Sequence, residues 1–193
     1  MRRILAFALP ALVVALMPAQ SFAQKDWYTK AVKNVTASFE PAAAKPGQTV
    51  TFRLTVELND GYVTYPLTQK DKGAADMVNK IIFPKSGPVI FVGETADPAK
   101  LSTKTEQLGD LTLAIRYGSG VVTYTRQAVV SPKAAPGEVT VPLDAFKLNV
   151  CYEDKCYPEK TVPAAATLKV LDGPPVAIDP ALAAEVAKAL ESK

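Results

Sequence analysis

The segment from Thr49 to Leu58 reads TVTFRLTVEL, in which polar and apolar residues alternate without interruption. Because successive side chains of a strand point to opposite faces of a sheet, this pattern predicts a β-strand with one face in a core and the other in water. The residues KPGQ before it and NDG after it are typical of turns. The segment therefore favours a fold built from sheets over a helical bundle.

Further short segments rich in β-branched and aromatic residues are likewise separated by residues typical of turns. They predict strands over Val32–Phe39, Tyr62–Tyr65, Lys80–Phe83, Val89–Val92, Leu111–Tyr117, Val121–Val130, Glu138–Pro142, Phe146–Tyr152 and Thr161–Val170. Many short strands at turn-punctuated spacing are typical of a β-sandwich. We therefore predict an all-β chain with an immunoglobulin-like β-sandwich over residues 24–172.

Residues 173–193 have a different pattern, which begins with a Gly-Pro-Pro break. Asp179 suits a helix N-cap and Pro180 suits the first helical position. Leu182, Val186 and Leu190 recur every four residues, which predicts a short amphipathic C-terminal helix. This helix could be docked on the domain, frayed in solvent, or used to bind a partner.

The N-terminus has the features of a secretory signal peptide. Arg2 and Arg3 precede an apolar run from Ile4 to Met17, and the small residues of Ser21-Phe22-Ala23 suit cleavage after Ala23. The alternative is a membrane anchor, for which the apolar run is short. We expect residues 1–23 to be removed and the protein to be periplasmic, or otherwise extracytoplasmic, and soluble.

The composition excludes several classes of function. The chain has no histidine and only 2 cysteines, which removes Ser-His and Cys-His nucleophile pairs and most zinc sites. The formal charge of +3 includes two arginines of the leader, so the rest is nearly neutral and does not favour nucleic acid as a partner. We predict neither a metal nor a cofactor.

The two cysteines lie in the sequence VCYEDKCYP, which starts at Val150. In a hairpin with Glu153 and Asp154 at its tip, Cys151 lies opposite Cys156, at a separation that a disulfide can close. Cys151 would then share the outward face with Lys147 and Asn149, where another protein could reach it. The inward face would carry Phe146, Leu148, Val150 and Tyr152. Such a short bridge could be a structural staple or a redox site, and spacing alone leaves both open.

The segment LNVCYEDKCYPE, from Leu148 to Glu159, resembles the active-site hairpin of the N-terminal periplasmic domain of the thiol:disulfide interchange protein DsbD. A second match is NDGYVTY, from Asn59 to Tyr65, which resembles the family's Gly-aromatic-x-x-Tyr strand start. The similarity covers residues 33–171. The resemblance implies an immunoglobulin-like fold and a cysteine pair that passes electrons from a thioredoxin-like donor to oxidised periplasmic thiol proteins.

The resemblance also implies roles for single residues. Cys156 corresponds to the cysteine that forms the mixed disulfide with a partner, and Cys151 to the one that resolves it. Tyr65 corresponds to a tyrosine beside the pair, and Tyr117, in the segment RYGSG from Arg116 to Gly120, to an aromatic of a cap loop. Lys155 and Tyr157 flank Cys156, and the lysine favours its thiolate.

The expected activity is thiol-disulfide exchange, as a protein-disulfide reductase or a component of such a system. The membrane electron donor would act in trans, because this sequence does not contain the family's membrane-spanning and thioredoxin-like portions. The alternative is a non-catalytic immunoglobulin-like binding or assembly module whose disulfide is structural.

Overall fold

The computed structural model of the protein describes residues 27–191, so the predicted signal peptide lies outside the described residues. A short helix, α1 (Tyr28–Ala31), comes first and a longer one, α2 (Pro180–Glu191), comes last. Between them lie the strands β1 (Val32–Glu40), β2 (Ala43–Ala44), β3 (Thr49–Leu58), β4 (Tyr62–Thr64), β5 (Lys80–Ile82), β6 (Val89–Ala96), β7 (Ser102–Leu108), β8 (Leu111–Ser119), β9 (Val121–Val130), β10 (Gly137–Pro142), β11 (Ala145–Leu148), β12 (Val150–Tyr152), β13 (Lys155–Cys156), β14 (Lys160–Thr161) and β15 (Ala165–Val170). One 3-10 turn covers Lys72–Ala74.

Within residues 27–191, the strands form four sheets. A four-stranded sheet has the order β1-β3-β9-β6, with antiparallel neighbours throughout. Two three-stranded sheets have the orders β10-β15-β2 and β14-β11-β5, and a five-stranded sheet has the order β13-β12-β4-β8-β7. This is the all-β sandwich that the strand pattern predicts, with one short helix at the C-terminal end.

The main core lies between the β1-β3-β9-β6 sheet and strands of the other sheets. The inward residues of β3 are all buried, namely Val50, Phe52, Leu54, Val56 and Leu58. They share one cluster with buried side chains from β11, β12 and β15, which include Phe146, Leu148, Val150, Ala166 and Leu168. Burial of such large apolar surfaces is the dominant favourable term in folding, and the alternation in the sequence identifies the residues that supply it.

The predicted bounds of β3 and β9 are confirmed, whereas two longer predicted strands are each divided. The strand predicted over Phe146–Tyr152 is interrupted at Asn149, because its backbone N–H donates to the side-chain Oδ1 of Asn79 (2.7 Å) instead of to a neighbouring strand. The strand predicted over Thr161–Val170 is interrupted around Pro163, which has no N–H to donate. Strand β7 was not predicted, since its sequence STKTEQL has no alternating apolar residues.

Helix α2 begins at Pro180 as predicted, and the carboxylate Oδ1 of Asp179 accepts a hydrogen bond from the N–H of Ala181 (2.9 Å). Its Val186 is only 1% exposed and packs with Ile90, Val92 and Val129 of strands β6 and β9. The helix is therefore docked on the outer side of the sandwich. Within residues 27–191, no helix is long and apolar enough to cross a membrane.

Candidate functional site

The two cysteines lie opposite each other on the β12–β13 hairpin and form a disulfide. The pairing places Tyr152 opposite Lys155 and Cys151 opposite Cys156, with Cα atoms of the two cysteines 4.0 Å apart. The tip of the hairpin is Glu153-Asp154, and Glu153 has a positive φ of 50°. The predicted opposition of the cysteines and the disulfide between them are thus confirmed.

The two halves of the disulfide differ in their exposure to solvent. Cys156 is exposed, whereas Cys151 is only 1% exposed. The prediction that Cys151 would be accessible to another protein is therefore wrong. Its side chain does point away from the main core, but that face is covered by a second small core, which contains Tyr65, Ala74, Leu113 and Ile115.

Tyr152 also departs from the prediction, which placed it on the inward face of the strand. Its side chain is 37% exposed, because it lies at the end of β12 beyond the edge of the main core. Its ring packs instead against that of Tyr62 on the neighbouring strand, with centroids 4.9 Å apart.

The hydroxyl of Tyr65 lies directly beside the disulfide. It is 2.9 Å from Cys151 Sγ and 3.6 Å from Cys156 Sγ. Because a disulfide sulfur has no hydrogen, the hydroxyl is the donor, and the nearer acceptor of its single hydrogen is Cys151 Sγ. Burial raises the pKa of Tyr65; among the smaller effects, the charge of Lys104 lowers it and that of Glu106 raises it. The hydroxyl is therefore protonated, and able to donate, at physiological pH.

A buried polar network holds the backbone of Tyr65 in place. The side-chain nitrogen of Asn79 lies within hydrogen-bond distance of the carbonyl oxygen of Tyr65 (2.8 Å), of Thr64 Oγ1 (2.8 Å) and of the hydroxyl of Tyr124 (2.7 Å), and these three acceptors share its two hydrogens. That hydroxyl in turn donates to the same carbonyl of Tyr65. The hydroxyl of Thr64 donates to the carbonyl of Asn149 (2.7 Å), which ties β4 to the start of the cysteine hairpin.

Asn79 is the residue of this site that the sequence analysis missed. It is 1% exposed and also accepts a hydrogen bond from the N–H of Asn149, two residues before Cys151. A buried asparagine must satisfy its donors and acceptor within the protein. The sequence signal is a polar pair, Asn79-Lys80, before the apolar residues from Ile81 to Phe83, and it does not distinguish a buried amide from a loop residue.

The segment from Arg116 to Gly120, which the resemblance compares with a cap loop, is mostly strand. Arg116 to Ser119 belong to strand β8, and Ser119 and Gly118 pair with Val63 and Thr64 of β4. The backbone N–H and carbonyl of Arg116 are bound by the side-chain amide of Gln69, which replaces a strand neighbour (3.0 and 2.8 Å). Most of this segment is therefore part of a sheet, through its pairing with β4 and its hydrogen bonds to Gln69.

Tyr117 nevertheless lies near the disulfide. It is half-buried and packs on the small core that contains Tyr65 and Cys151. It also lines an open cleft of about 300 Å³ beside the hairpin, whose wall includes Val63, Lys104 and Asp154. The ammonium of Lys104 is paired with the carboxylate of Glu106, so this cleft carries both signs of charge.

The side of the hairpin next to exposed Cys156 is aromatic. Tyr157 stacks on Trp27, with centroids 5.2 Å apart and planes at 15°, and its N–H donates to the carbonyl of Val150 (3.0 Å). The Nζ of Lys155 lies 5.7 Å from the centroid of the Tyr157 ring. Tyr62, whose pKa is raised by burial and then by the neighbouring Tyr157, completes this surface. The structure thus brings Tyr65, Tyr117, Lys155 and Tyr157 close to the cysteine pair.

Over residues 27–191, no three acidic or cysteine side chains converge in a way that could hold a metal ion.

Comparison with known proteins does not assign a function to this site. No protein-family model matches the chain, and neither does any curated protein. Among solved structures, the chain has a likeness to a family 123 glycoside hydrolase from Clostridium perfringens, with 11% identity and a TM-score of 0.29. The match covers 68% of this chain and 22% of the hydrolase. A likeness this weak supports no conclusion about activity.

Proposed function

We propose that this protein carries reducing equivalents by thiol-disulfide exchange at Cys151 and Cys156. The observation that carries the proposal is the asymmetry of the bond: Cys156 is an exposed residue on a hairpin, whereas Cys151 is buried with its sulfur against a hydrogen-bond donor. An exchange site needs one sulfur that a partner can reach and a second that only the first can reach. Exposed disulfides are also the more easily reduced ones.

The reaction proceeds in two exchange steps. In the reduced protein, the thiolate of Cys156 attacks the disulfide of an oxidised partner; a bond forms between Cys156 Sγ and one partner sulfur, and the other partner sulfur leaves as a thiolate. The thiolate of Cys151 then attacks Cys156 Sγ, which forms the intramolecular disulfide and releases the second partner thiolate. Two electrons pass to the partner, whose thiolates take up protons from water.

The same two steps in reverse return the protein to its reduced form. A dithiol donor reduces the Cys151–Cys156 bond and becomes a disulfide itself. By its resemblance to the N-terminal domain of DsbD, we propose that the donor is a thioredoxin-like protein fed by a membrane electron donor that acts in trans. The acceptors are then oxidised thioredoxin-like thiol proteins of the periplasm, the compartment that the predicted signal peptide implies.

A structural disulfide in a non-catalytic immunoglobulin-like module is the second candidate. The burial of Cys151 in the small core with Tyr65, Leu113 and Ile115 favours it, since a bridge that packs against a core contributes to its cohesion. The two candidates differ in whether the exposed sulfur forms a covalent complex with a partner.

Trapping of the mixed disulfide tests the proposal. Reduced Cys151→Ser should accumulate a covalent adduct through Cys156 when it is mixed with an oxidised thioredoxin, because the resolving thiol is missing. The matched control Cys156→Ser should not, because its remaining thiol is buried. Equal trapping by both variants, or trapping through Cys151 alone, would overturn the assigned roles. No trapping by either variant across several thioredoxin-like proteins would favour the structural module.

A further inference from the structure

We propose that the hydroxyl of Tyr65 selects Cys151 as the leaving sulfur whenever an external thiolate reduces the disulfide. The inference rests on the proposed function and adds a residue that acts in the chemical step. In thiol-disulfide exchange, the attacking thiolate bonds to one sulfur and the other leaves with the electron pair of the broken bond. Exchange is faster when the leaving thiolate is more stable.

Exposure determines which sulfur is attacked. Cys156 is exposed, whereas Cys151 is 1% exposed and enclosed by the small core around Tyr65 and Ile115. An external thiolate therefore reaches Cys156 Sγ, and negative charge develops on Cys151 Sγ. This charge forms in an apolar cluster, where an unpartnered anion would be strongly disfavoured.

The Tyr65 hydroxyl lies where that charge develops. Its oxygen is 2.9 Å from Cys151 Sγ and 3.6 Å from Cys156 Sγ, so the shorter contact is to the leaving sulfur. A hydrogen bond strengthens when its acceptor becomes charged. The contact is thus stronger in the transition state than in the resting disulfide, which is the condition for it to accelerate the reaction.

The surroundings of Tyr65 keep the donor in place during the reaction. Its backbone carbonyl is fixed by Asn79 and Tyr124, and the residue as a whole is 3% exposed. The charged groups that act on the hydroxyl are Lys104 and Glu106 of β7, which are paired with each other. Asp154, at the hairpin tip, acts in turn on Lys104.

The step balances without any further reactant. The donor's thiolate forms a bond to Cys156 Sγ, the Cys151–Cys156 bond breaks, and Cys151 leaves as a thiolate that accepts the hydrogen bond from Tyr65. The donor's second thiolate then attacks the donor sulfur of the mixed disulfide and releases the Cys156 thiolate. The donor loses two electrons and the protein gains them.

The rate of reduction by dithiothreitol tests the role of the hydroxyl. Tyr65→Phe keeps the ring and the backbone contacts but removes the donor, and we expect the reduction rate to fall on the order of 10-fold or more. The matched control is Tyr152→Phe, which removes the exposed hydroxyl of the residue adjacent to Cys151. Its rate should equal that of the unmodified protein. Equal rates for Tyr65→Phe and the unmodified protein would overturn the proposal.

The pKa of the Cys151 thiol provides a readout that a merely structural role would not change. In the Cys156→Ala background, adding Tyr65→Phe should raise this pKa, measured by NMR from the pH dependence of the Cys151 Cβ chemical shift, which does not require a reagent to reach the buried thiol. Adding Tyr152→Phe should leave it unchanged. A Cys151 pKa that is the same with and without the Tyr65 hydroxyl would contradict the inference.

The unmodified protein provides a test that requires no variant. A monothiol is added to the oxidised protein, the mixture is quenched with acid, and the freed thiol is alkylated and located by mass spectrometry. We expect the monothiol on Cys156 and the alkyl group on Cys151; the reverse pattern would refute the selection. These measurements use small thiols alone, so they can succeed even if trapping of a protein partner fails, and the two failures are distinguishable.

Discussion

Reduction of the disulfide should destabilise the fold only slightly. The bond closes a loop of about six residues, for which the chain-entropy relation gives about 2 kcal/mol of stabilisation. This value is an upper bound, because the pairing of β12 with β13 already holds the two cysteines together. The buried packing of Cys151 also changes little when a disulfide sulfur becomes a thiol that Tyr65 can still contact.

The change can be measured without mutation, since Cys151 and Cys156 are the only cysteines of the chain. Urea denaturation with and without a phosphine reductant should give free energies of unfolding that differ by about 2 kcal/mol or less. For a domain of this size, that difference lowers the melting temperature by about 4–8 °C. The double variant Cys151→Ala, Cys156→Ala is the control, and its stability should not respond to the reductant.

A much larger effect would refute this reasoning. If the free energy of unfolding of the reduced protein were lower by more than about 5 kcal/mol, or the protein were unfolded at room temperature, the bond would supply a third or more of a typical domain's stability of about 5–15 kcal/mol. The hairpin would then depend on the disulfide, and the structural module would be the better interpretation.

Three further predictions concern the surroundings of the site. Val186→Ala should lower the free energy of unfolding by about 1.5 kcal/mol. It should also speed amide hydrogen exchange in α2 but not in β3, and unchanged exchange in α2 would contradict the docking of the helix. Asn79→Ala should lower the free energy of unfolding, measured by urea denaturation, by about 3 kcal/mol, because it leaves buried hydrogen-bond partners unsatisfied. The exposed control Asn34→Ala should leave this free energy almost unchanged, and equal effects of the two variants would refute the prediction. The N–H groups of Ala114 and Gly73 hold the pKa of the Asp71 carboxyl below its usual value. The contribution of Asp71 to stability is therefore present above pH 3.8 and is lost as the pH falls through the lower, folded-state pKa; an NMR titration giving a value at or above 3.8 would contradict it.

The strands of the sandwich could be predicted where one face is buried and the other is solvated. Strands β3 and β9 have the bounds that the pattern indicates. In β3 every apolar residue is on the buried face and every polar residue is on the other face. Strand β7 has no such pattern, because it pairs only with β8 at the edge of its sheet and its sequence is mostly polar. Alternation therefore identifies central strands and misses this edge strand.

The candidate site shows the same division between local and long-range information. The opposition of Cys151 and Cys156 follows from a two-residue hairpin tip, so it could be read from local sequence. The burial of Cys151 could not, because the groups that cover it come from distant parts of the chain, such as Tyr65 and Ile115. Asn79 was missed for the same reason, as its partners lie on β4, β9 and the residue before β12.

The reduction potential of the Cys151–Cys156 bond is the most direct test of the proposed exchange activity. It can be measured by equilibrating the protein with glutathione buffers of defined ratio and quantifying the free thiols by alkylation. We predict a value in the range of exchange proteins, about −120 to −270 mV. A value below about −300 mV would mark the bond as a structural bridge and would contradict the proposed function.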